Sequence, residues 1–333
     1  METIYFLGID LAKETFQAAL TLDGVNISET KVENNSKSIR SYFQDLRDKF
    51  SPSQLMVCIE HTGIYSNPLL DYLTEKGIKV CVESALQIKK SQGIKRGKSD
   101  KVDARRIAQY LHKNHQQVKF WHPSRTVIQK IKALLVVRER LVKTRVQLAT
   151  PIKESENYIE ESLRKNIIKC CQNTLHSLTK DILKVEREID ILIKQDNKLE
   201  QEVQLATSIP GVGNITALHI IVASNEFETI SEVKKFACYA GVAPFEYTSG
   251  TTIRGKTRVS KLANMTVKKL LNLSAMSAVQ HCYDLKIYYT RKVAQGKNKM
   301  SVLNAVRNKL ISRIYACVKN KRMYQKEYQH ELA

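Results

Sequence analysis

The chain has 333 residues, of which 43% are hydrophobic, and a formal net charge of +21 at pH 7. This length is enough for two or three domains with a sizeable core. No stretch approaches the roughly 18 to 20 consecutive apolar residues of a membrane span, and no basic and apolar signal segment opens the sequence, so we expect a cytosolic chain without a membrane partner.

The positive charge is concentrated in two blocks. Residues 85–150 carry 17 Lys or Arg and 3 Asp or Glu, and residues 251–333 carry 18 and 3. The two remaining regions are mildly acidic, so the excess indicates surfaces that face a polyanion, with nucleic acid as the leading partner. An anionic membrane surface is the alternative, but the basic blocks lack an opposite face rich in Trp and Phe. The seven cysteines form no Cys-x-x-Cys pair and are typical of reduced core residues.

The first 120 residues predict an α/β domain. Three strands, IYFLGID, TFQAAL and VNISETKV, come first, and Asp23-Gly24 marks a hairpin between the second and third. A helix at 38–50, the strand QLMVCIE, a helix at 65–75 and the strand KVCVES follow. This order is typical of a ribonuclease-H-like domain. Asp10 and Glu60 then end the first and fourth strands, which are neighbours in that fold.

Two further acids lie in the segment GKSDKVDARRIAQYL, residues 97–111. Its apolar spacing predicts a helix with Ser99 as the N-cap, and the i, i+3 spacing places Asp100 and Asp103 on one face. Acids inside a cationic strip suit metal ions held against a phosphate backbone. The plainer interpretation is that they complement the helix dipole. On this segment alone the plainer interpretation is favoured, and Asp10 and Glu60 change the balance.

Asp10, Glu60, Asp100 and Asp103 together make a four-carboxylate set. Such a cluster is tolerated chiefly when divalent cations neutralise it, and oxygen ligands select Mg²⁺ or Mn²⁺ over zinc. Two such ions could activate a nucleophilic oxygen and stabilise a leaving oxygen in phosphodiester cleavage. The spacing leaves the attacking group open: water would make a nuclease, whereas a hydroxyl would make a transferase.

The middle of the chain predicts long helices. One begins near Arg125 and runs to about residue 149, where Thr150-Pro151 interrupts it. A heptad seam follows, with Asp196 filling one core position; its apolar members are Leu175, Leu178, Ile182, Val185, Ile189, Leu192, Leu199 and Val203. An antiparallel hairpin within the chain and a coiled coil between protomers explain the seam equally well.

The last third contains two glycine-bearing segments. Pro210-Gly211-Val212-Gly213 lies between helical stretches and resembles a helix-hairpin-helix turn, in which Gly211 and Gly213 would approach a phosphate, although such turns also join helices for geometry alone. Residues 240–250 predict a loop with Ser249 before Gly250. Ser249 could attack a phosphate beside four cations, although serines before glycine mostly make local turns. The cations are Arg254, Lys256, Arg258 and Lys261.

Five motifs in this order resemble a known family. They are GID at Asp10, E-x-T-G at Glu60, S-D-x-x-D at Ser99, the P-G-V-G turn, and G-V-A-P-x-x-Y-T-S-G ending at Gly250. The set resembles the DEDD transposases of the "one-ten" family of bacterial insertion sequences, which includes Piv-type DNA invertases and bridge-RNA-guided recombinases. Two departures stand out: Thr248 replaces the usual first serine of Ser-Ser-Gly, and Ala263 replaces a glycine in Ser-Lys-x-Gly-Asn.

The resemblance implies that three parts of the chain have different roles. It implies a RuvC-like DEDD domain (1–123), a helical coiled-coil linker (124–205) and a mainly α transposase domain (206–333). By position, the four acids would hold Mg²⁺ or Mn²⁺ and Ser249 would form a phosphoserine link with DNA. The implied partners are donor and target DNA, a structured guide RNA, and further copies of the chain as dimers or tetramers. Lys98, Arg105 and Arg106 would contact the nucleic-acid backbone.

The leading hypothesis is therefore a Mg²⁺-dependent, RNA-guided DNA recombinase. The first alternative is a RuvC-type endonuclease that uses water as the nucleophile. The second is a non-enzymatic basic protein that binds nucleic acid and whose acids are structural.

Overall fold

The computed structural model describes residues 3–93, 99–155, 158–249, 253–259 and 262–325, with the backbone alone at 246–249, 253–254 and 256–257. The chain divides into two compact units, Met1–Pro123 and Ser124–Ala333. Each unit is described by itself below. In the described part of the chain, no helix combines the length and the apolar character needed to cross a membrane.

The first unit is built on a five-stranded mixed sheet. Its strands in chain order are β1 (Tyr5–Leu11), β2 (Thr15–Leu22), β3 (Val25–Glu33), β4 (Leu55–Glu60) and β5 (Lys79–Glu83). The order across the sheet is β3-β2-β1-β4-β5. β1 and β2 pair antiparallel, as do β2 and β3, whereas β1, β4 and β5 run parallel. The helices are α1 (Ser36–Arg47), α2 (Asn67–Glu75), α3 (Ala85–Lys90) and α4 (Asp100–Asn114).

Alternating residues of the strands cover the two faces of this sheet. Leu7 and Ile9 of β1 pack in the cluster that holds the apolar residues of α1 and α2. Phe6 packs on the opposite face with Ile107 and Leu111 of α4. Because successive strand residues point to opposite faces, Asp10 belongs to the α4 face.

The elements of this unit confirm the α/β prediction. The Asp23-Gly24 turn joins β2 to β3, and both residues have positive φ, 49° and 82°, as a tight hairpin turn of this kind requires. The helix predicted at 38–50 begins and ends two or three residues earlier, and the helix predicted from residue 65 begins at Asn67. The short helix α3 was not predicted.

The second unit is mainly helical. Its helices are α5 (Thr126–Glu154), α6 (Glu161–Lys194), α7 (Asn197–Thr207), α8 (Asn214–Ser224), α9 (Val233–Tyr239), α10 (Met265–His281), α11 (Tyr283–Ala294) and α12 (Lys299–Lys319). Its two strands, β6 (Pro244–Ser249) and β7 (Ile253–Val259), pair antiparallel. Apolar residues of α7 to α12 share one core, so these helices form one packed body.

The two longest helices fold back on each other. Ile128 and Ile131 near the start of α5 share a cluster with Ile189 and Ile193 near the end of α6. Arg138 Nε donates to Glu186 Oε1 over 2.7 Å between the same helices. Part of the heptad seam is therefore buried within one chain, as an antiparallel hairpin requires. A coiled coil between protomers stays a prediction.

Two details of the helical prediction are wrong. The first helix continues past Pro151 and ends at Glu154, less than one turn later. The seam does not continue through Asp196, because α6 ends at Lys194 and Asp196 is the N-cap of α7, accepting from the N–H of Leu199 over 2.9 Å. Asp196 therefore begins a new helix.

Asp196 also belongs to a charged network that joins three elements. Arg125, the residue before α5, donates to Asp196 over 2.7 and 3.0 Å and to Glu226 over 2.5 to 3.1 Å. The side chain of Glu226 is only 2% exposed, and Lys198 lies 3.3 Å from it. The guanidinium of Arg125 lowers the pKa of Asp196. Burial, followed by the negative charge of Glu226, raises the pKa of nearby Glu202 to about 7.

The division into three domains stays a prediction. The first predicted boundary, 123/124, coincides with the division between the two units. The second, 205/206, falls inside α7, where Leu199 and Val203 pack in the cluster of α5 and α6 while Leu205 and Ala206 pack in the core of α8 to α12. Helix α7 therefore connects the two parts of the second unit.

Candidate active site

Asp10 and Glu60 lie side by side at one edge of the sheet. β1 and β4 run parallel, and Ile9 is opposite Ile59. Asp10 is the next residue of β1 and Glu60 the next residue of β4, so both follow this pair at the carboxyl ends of their strands. Both side chains are half-buried. The register of this parallel pair therefore confirms the prediction that the two strand ends are neighbours.

Helix α4 lies directly on β1 because of Gly8. A Cβ atom at Gly8 would lie 2.2 Å from the backbone nitrogen of Ala108 and 2.3 Å from the carbonyl oxygen of Ala104. The helix backbone therefore occupies the space of a side chain. Since Leu111 packs beside Phe6 and Ala104 lies over Gly8, α4 runs opposite to β1.

The first turn of α4 consequently lies at the Asp10 end of the sheet. Ser99 caps it as predicted: its Oγ accepts from the N–H of Val102 over 3.4 Å. Asp100 is exposed and Asp103 is half-buried. The fold thus directs all four predicted acids to one end of one sheet face, two from strand ends and two from a helix start.

The acidic side chains do not form a preassembled metal-binding site. Across the described residues, no three His, Cys, Asp or Glu side chains lie close enough together to hold a metal ion. Asp103 Oδ1 instead accepts from Arg106 Nη1 over 2.9 Å, and these side chains are 26% and 18% exposed. The donor set, four carboxylates, has the oxygen chemistry that Mg²⁺ and Mn²⁺ prefer. The residues therefore fit such an ion chemically, with Arg106 as the present counter-ion of Asp103.

The two arginines predicted to contact nucleic acid both have acidic partners. Arg106 pairs with Asp103. Arg105 makes a two-pronged contact with Glu29 of β3, from Nε to Oε1 and from Nη2 to Oε2. The hydrogen bond from Arg105 lowers the pKa of Glu29. Each arginine would have to exchange a carboxylate for a phosphate in order to bind a nucleic-acid backbone.

Sequence reasoning missed a fifth acid beside the site. Glu83 ends β5 directly opposite Glu60, on the same sheet face. Its Oε1 accepts from the N–H of Ser84 over 2.9 Å, and its Oε2 accepts from the hydroxyl of Tyr110 over 3.0 Å. Burial and this contact with Glu83 raise the pKa of Tyr110. The signal was present in the sequence, because VCIE and VCVE end two strands on the same residue type.

Ser249 lies at the end of a strand and not in a loop. Residues 244–249 form β6, and Ser249 is opposite Ile253 of β7. The second half of the predicted loop therefore corresponds to strand β6, and residues 250–252 lie outside the described residues. Of Ser249 the structure describes the backbone alone, so its nucleophilic role stays a prediction.

The remaining residues predicted to contact phosphate lie in different parts of the chain, and the structure does not describe all of them. Lys98 and Lys261 lie outside the described residues, Arg254 and Lys256 belong to β7, and Arg258 of β7 is exposed. Gly211 has φ +94°, and a Cβ there would lie 2.7 Å from Cβ of Ala278 in α10. Gly211 therefore allows close packing of its turn on α10. Gly213 faces open space at the N-cap of α8, so a phosphate contact of the turn stays a prediction.

Comparison with known proteins decides the family. A model of DEDD transposases of the IS110 type, described as "Transposase", matches residues 7–155. A second model, described as "Transposase IS116/IS110/IS902 family", matches residues 203–290. The chain belongs to the IS110 family of transposases. It is therefore a DNA transposase or recombinase, as predicted from its motifs, and the non-enzymatic alternative is wrong.

Relatives of this IS110-family transposase match it over nearly its full length. The pilin gene-inverting protein of Moraxella bovis is 26% identical over 331 residues, which cover 96% of this chain and 98% of that protein. The transposase for insertion sequence element IS1111A of Coxiella burnetii is 22% identical, over 98% of this chain and 92% of its own.

A solved structure also matches part of the transposase. RuvC of Thermus thermophilus in complex with a Holliday junction substrate aligns with a TM-score of 0.29 and 13% identity, over 35% of this chain and 99% of its own. A TM-score this low supports no conclusion about the fold. The α/β assignment of the first unit is based on the order and pairing of its own strands.

Proposed function

We propose that this transposase cuts and joins DNA in a divalent-metal-dependent reaction in which Ser249 forms a transient phosphoserine link. The observation that supports the metal site is the placement of Asp10 and Glu60 side by side at the strand ends where the first turn of α4 arrives. Carboxylates from two strand ends and a helix start are directed to one end of the same sheet face, which complementing a helix dipole would not require.

Asp10, Glu60, Asp100 and Asp103 would hold the metal. Mg²⁺ or Mn²⁺ would supply charge stabilisation for the attacking and leaving oxygens of a phosphodiester. Arg106 would release Asp103 as the cation arrives, and its guanidinium would then be available to a DNA phosphate one helical turn from the site. Arg106 therefore would have two roles, holding Asp103 in the absence of metal and binding substrate in its presence.

Ser249 would carry the covalent step. Its hydroxyl oxygen forms a bond to phosphorus, the bond from phosphorus to one sugar oxygen breaks, and that oxygen leaves with the proton that the serine loses. Attack by a DNA hydroxyl on the phosphoserine reverses these steps on a new strand. No phosphodiester energy is lost, so strands can be rejoined without another energy source.

DNA and RNA would bind to the basic surfaces. The two basic blocks of the sequence carry 17 and 18 Lys or Arg, which would neutralise phosphates of donor DNA, target DNA and a structured guide RNA. The partly exposed apolar residues of α6 would allow pairing of copies into dimers or tetramers. These include Leu183 and Ile191, which are 48% and 47% exposed.

Ser249→Ala tests the covalent mechanism against cleavage by water. With DNA of the element ends, the RNA transcribed beside them and Mg²⁺, we expect wild-type chain to yield a protein–DNA adduct that survives denaturing electrophoresis. Ser249→Ala should yield none and should not recombine, whereas Thr248→Ala, the matched hydroxyl loss in the same strand, should keep both. Undiminished strand cleavage by Ser249→Ala would favour the RuvC-type endonuclease. Omitting the RNA tests the guide separately.

A further inference from the structure

A buried arginine in the second unit pairs with none of the carboxylates that the structure describes. Arg307 of α12 is 6% exposed. Burial lowers its pKa, and no acidic charge among the described residues opposes this shift. Its Nε is buried and makes no hydrogen bond. A buried cation is normally paired or hydrogen-bonded throughout, because removing its charge from water is costly.

Two amides contact Arg307, and a second cation lies on the neighbouring helix α10. Its Nη2 donates to Oδ1 of Asn272 in α10, and its Nη1 lies 3.4 Å from Oδ1 of Asn304. Lys268 lies one helical turn before Asn272 on α10. Its Nζ is 3.7 Å from the position a Cβ would take at Gly241. The cluster thus contains two cations and two neutral amides.

This cluster lies at the base of the hairpin that bears Ser249. Asn304 Nδ2 donates to the carbonyl oxygen of Val242 over 2.8 Å. Val242 and Gly241 lead within three residues into Pro244, the first residue of β6. At about 3.3 Å per strand residue, Pro244 at the start of β6 lies roughly 17 Å from Ser249, a distance that a few nucleotides of one DNA strand can span.

We propose that Arg307 and Lys268 bind the phosphate backbone of the DNA strand on which Ser249 acts, a few nucleotides from the attacked phosphate. An entering phosphodiester supplies the negative charge that the cluster lacks, and the guanidinium fork suits its oxygens. Asn272 and Asn304 hold the fork in place. This inference rests on the proposed role of Ser249 for the choice of strand, whereas the phosphate site itself does not depend on it.

The test measures binding without chemistry. Full-length chain in EDTA is titrated with fluorescein-labelled 30-base-pair DNA and, separately, with RNA of the same sequence, at several salt concentrations. Removing one phosphate contact reduces the slope of log affinity against log salt by about 1. We expect this reduction with DNA for Lys268→Gln and for Arg307→Met. Lys269→Gln, which removes the exposed neighbouring lysine of the same helix, should leave the slope unchanged.

The outcomes separate the site from the mechanism. If Arg307 only supported the fold, Arg307→Met would lower the melting temperature and leave the salt slope intact, and the proposal would be wrong. Since the arginine charge is buried without a counter-ion, we expect a melting temperature no lower than that of wild type. If that variant does not fold, Lys268→Gln decides. A change confined to RNA would overturn the assignment to DNA, and none of these results depends on Ser249 chemistry.

Discussion

Replacing Gly8 by alanine should push α4 away from β1. The new Cβ would lie 2.2 Å from the nitrogen of Ala108, whereas ordinary contact begins at 3.4 Å, so the helix must move by about 1.2 Å. The clashing atoms belong to the helix backbone and cannot rotate aside. Overpacking of this kind costs about 1–3 kcal/mol, and we expect Gly8→Ala to lie at the upper end of that range.

The larger effect should fall on the active site. Helix α4 carries Asp100 and Asp103, and β1 carries Asp10, so the same movement separates the two halves of the carboxylate set. A misplacement of about 1 Å can reduce a reaction rate about 100-fold. We therefore expect Gly8→Ala to fold at 25 °C, to melt at lower temperature, and to lose about 100-fold in Mg²⁺-dependent DNA cleavage per folded molecule.

Gly77→Ala is the matched control. Gly77 has φ +65° but faces open space, so alanine should cost about 1 kcal/mol of stability through backbone strain alone. Its cleavage rate per folded molecule should equal that of wild type. Thermal unfolding followed by circular dichroism and a cleavage assay on the same samples measure both effects. A Gly8→Ala variant that cleaves DNA at the wild-type rate would refute the proposed contribution of α4 to the site.

Two further predictions concern the charged network of the second unit. Burial raises the pKa of Glu202 from 4.5 to about 7, so the folded state holds a proton that the unfolded state releases. The free energy of unfolding should therefore fall as pH rises from about 4.5 to 7. Glu202→Gln should remove this pH dependence and raise the free energy of unfolding by up to about 3 kcal/mol above pH 7. A melting temperature of Glu202→Gln that follows pH as wild type does would contradict this. Arg125→Met leaves Glu226 buried without its main partner and should cost roughly 2–3 kcal/mol, less than a fully buried pair because Arg125 is 40% exposed. Arg138→Met leaves Glu186, whose side chain is 33% exposed against 2% for Glu226, and should cost less than about 1 kcal/mol. Equal losses in the two variants would contradict the importance of burial of the carboxylate.

The sequence by itself determined the features that depend on neighbouring residues. The segments IYFLGID and QLMVCIE determined β1 and β4, with Asp10 one residue before the end of β1 and Glu60 at the end of β4. The Asp23-Gly24 pair determined a turn with positive φ, and Ser99 with the apolar spacing behind it determined where α4 begins. These outcomes follow from steric preference and capping within a few residues, so one chain segment is sufficient to predict them.

Only the tertiary structure decided which charged groups are paired. Arg105 meets Glu29 across 76 positions of sequence, and Arg125 meets Glu226 across 101. Asp196 appeared to continue a heptad seam but begins α7, and Ser249 appeared to lie in a loop but ends a strand. Such partners are set by the packing of distant elements, and spacing along the chain carries no information about them. The same packing leaves Arg307 buried without an acid among the described residues, which no count of charges along the sequence could have shown.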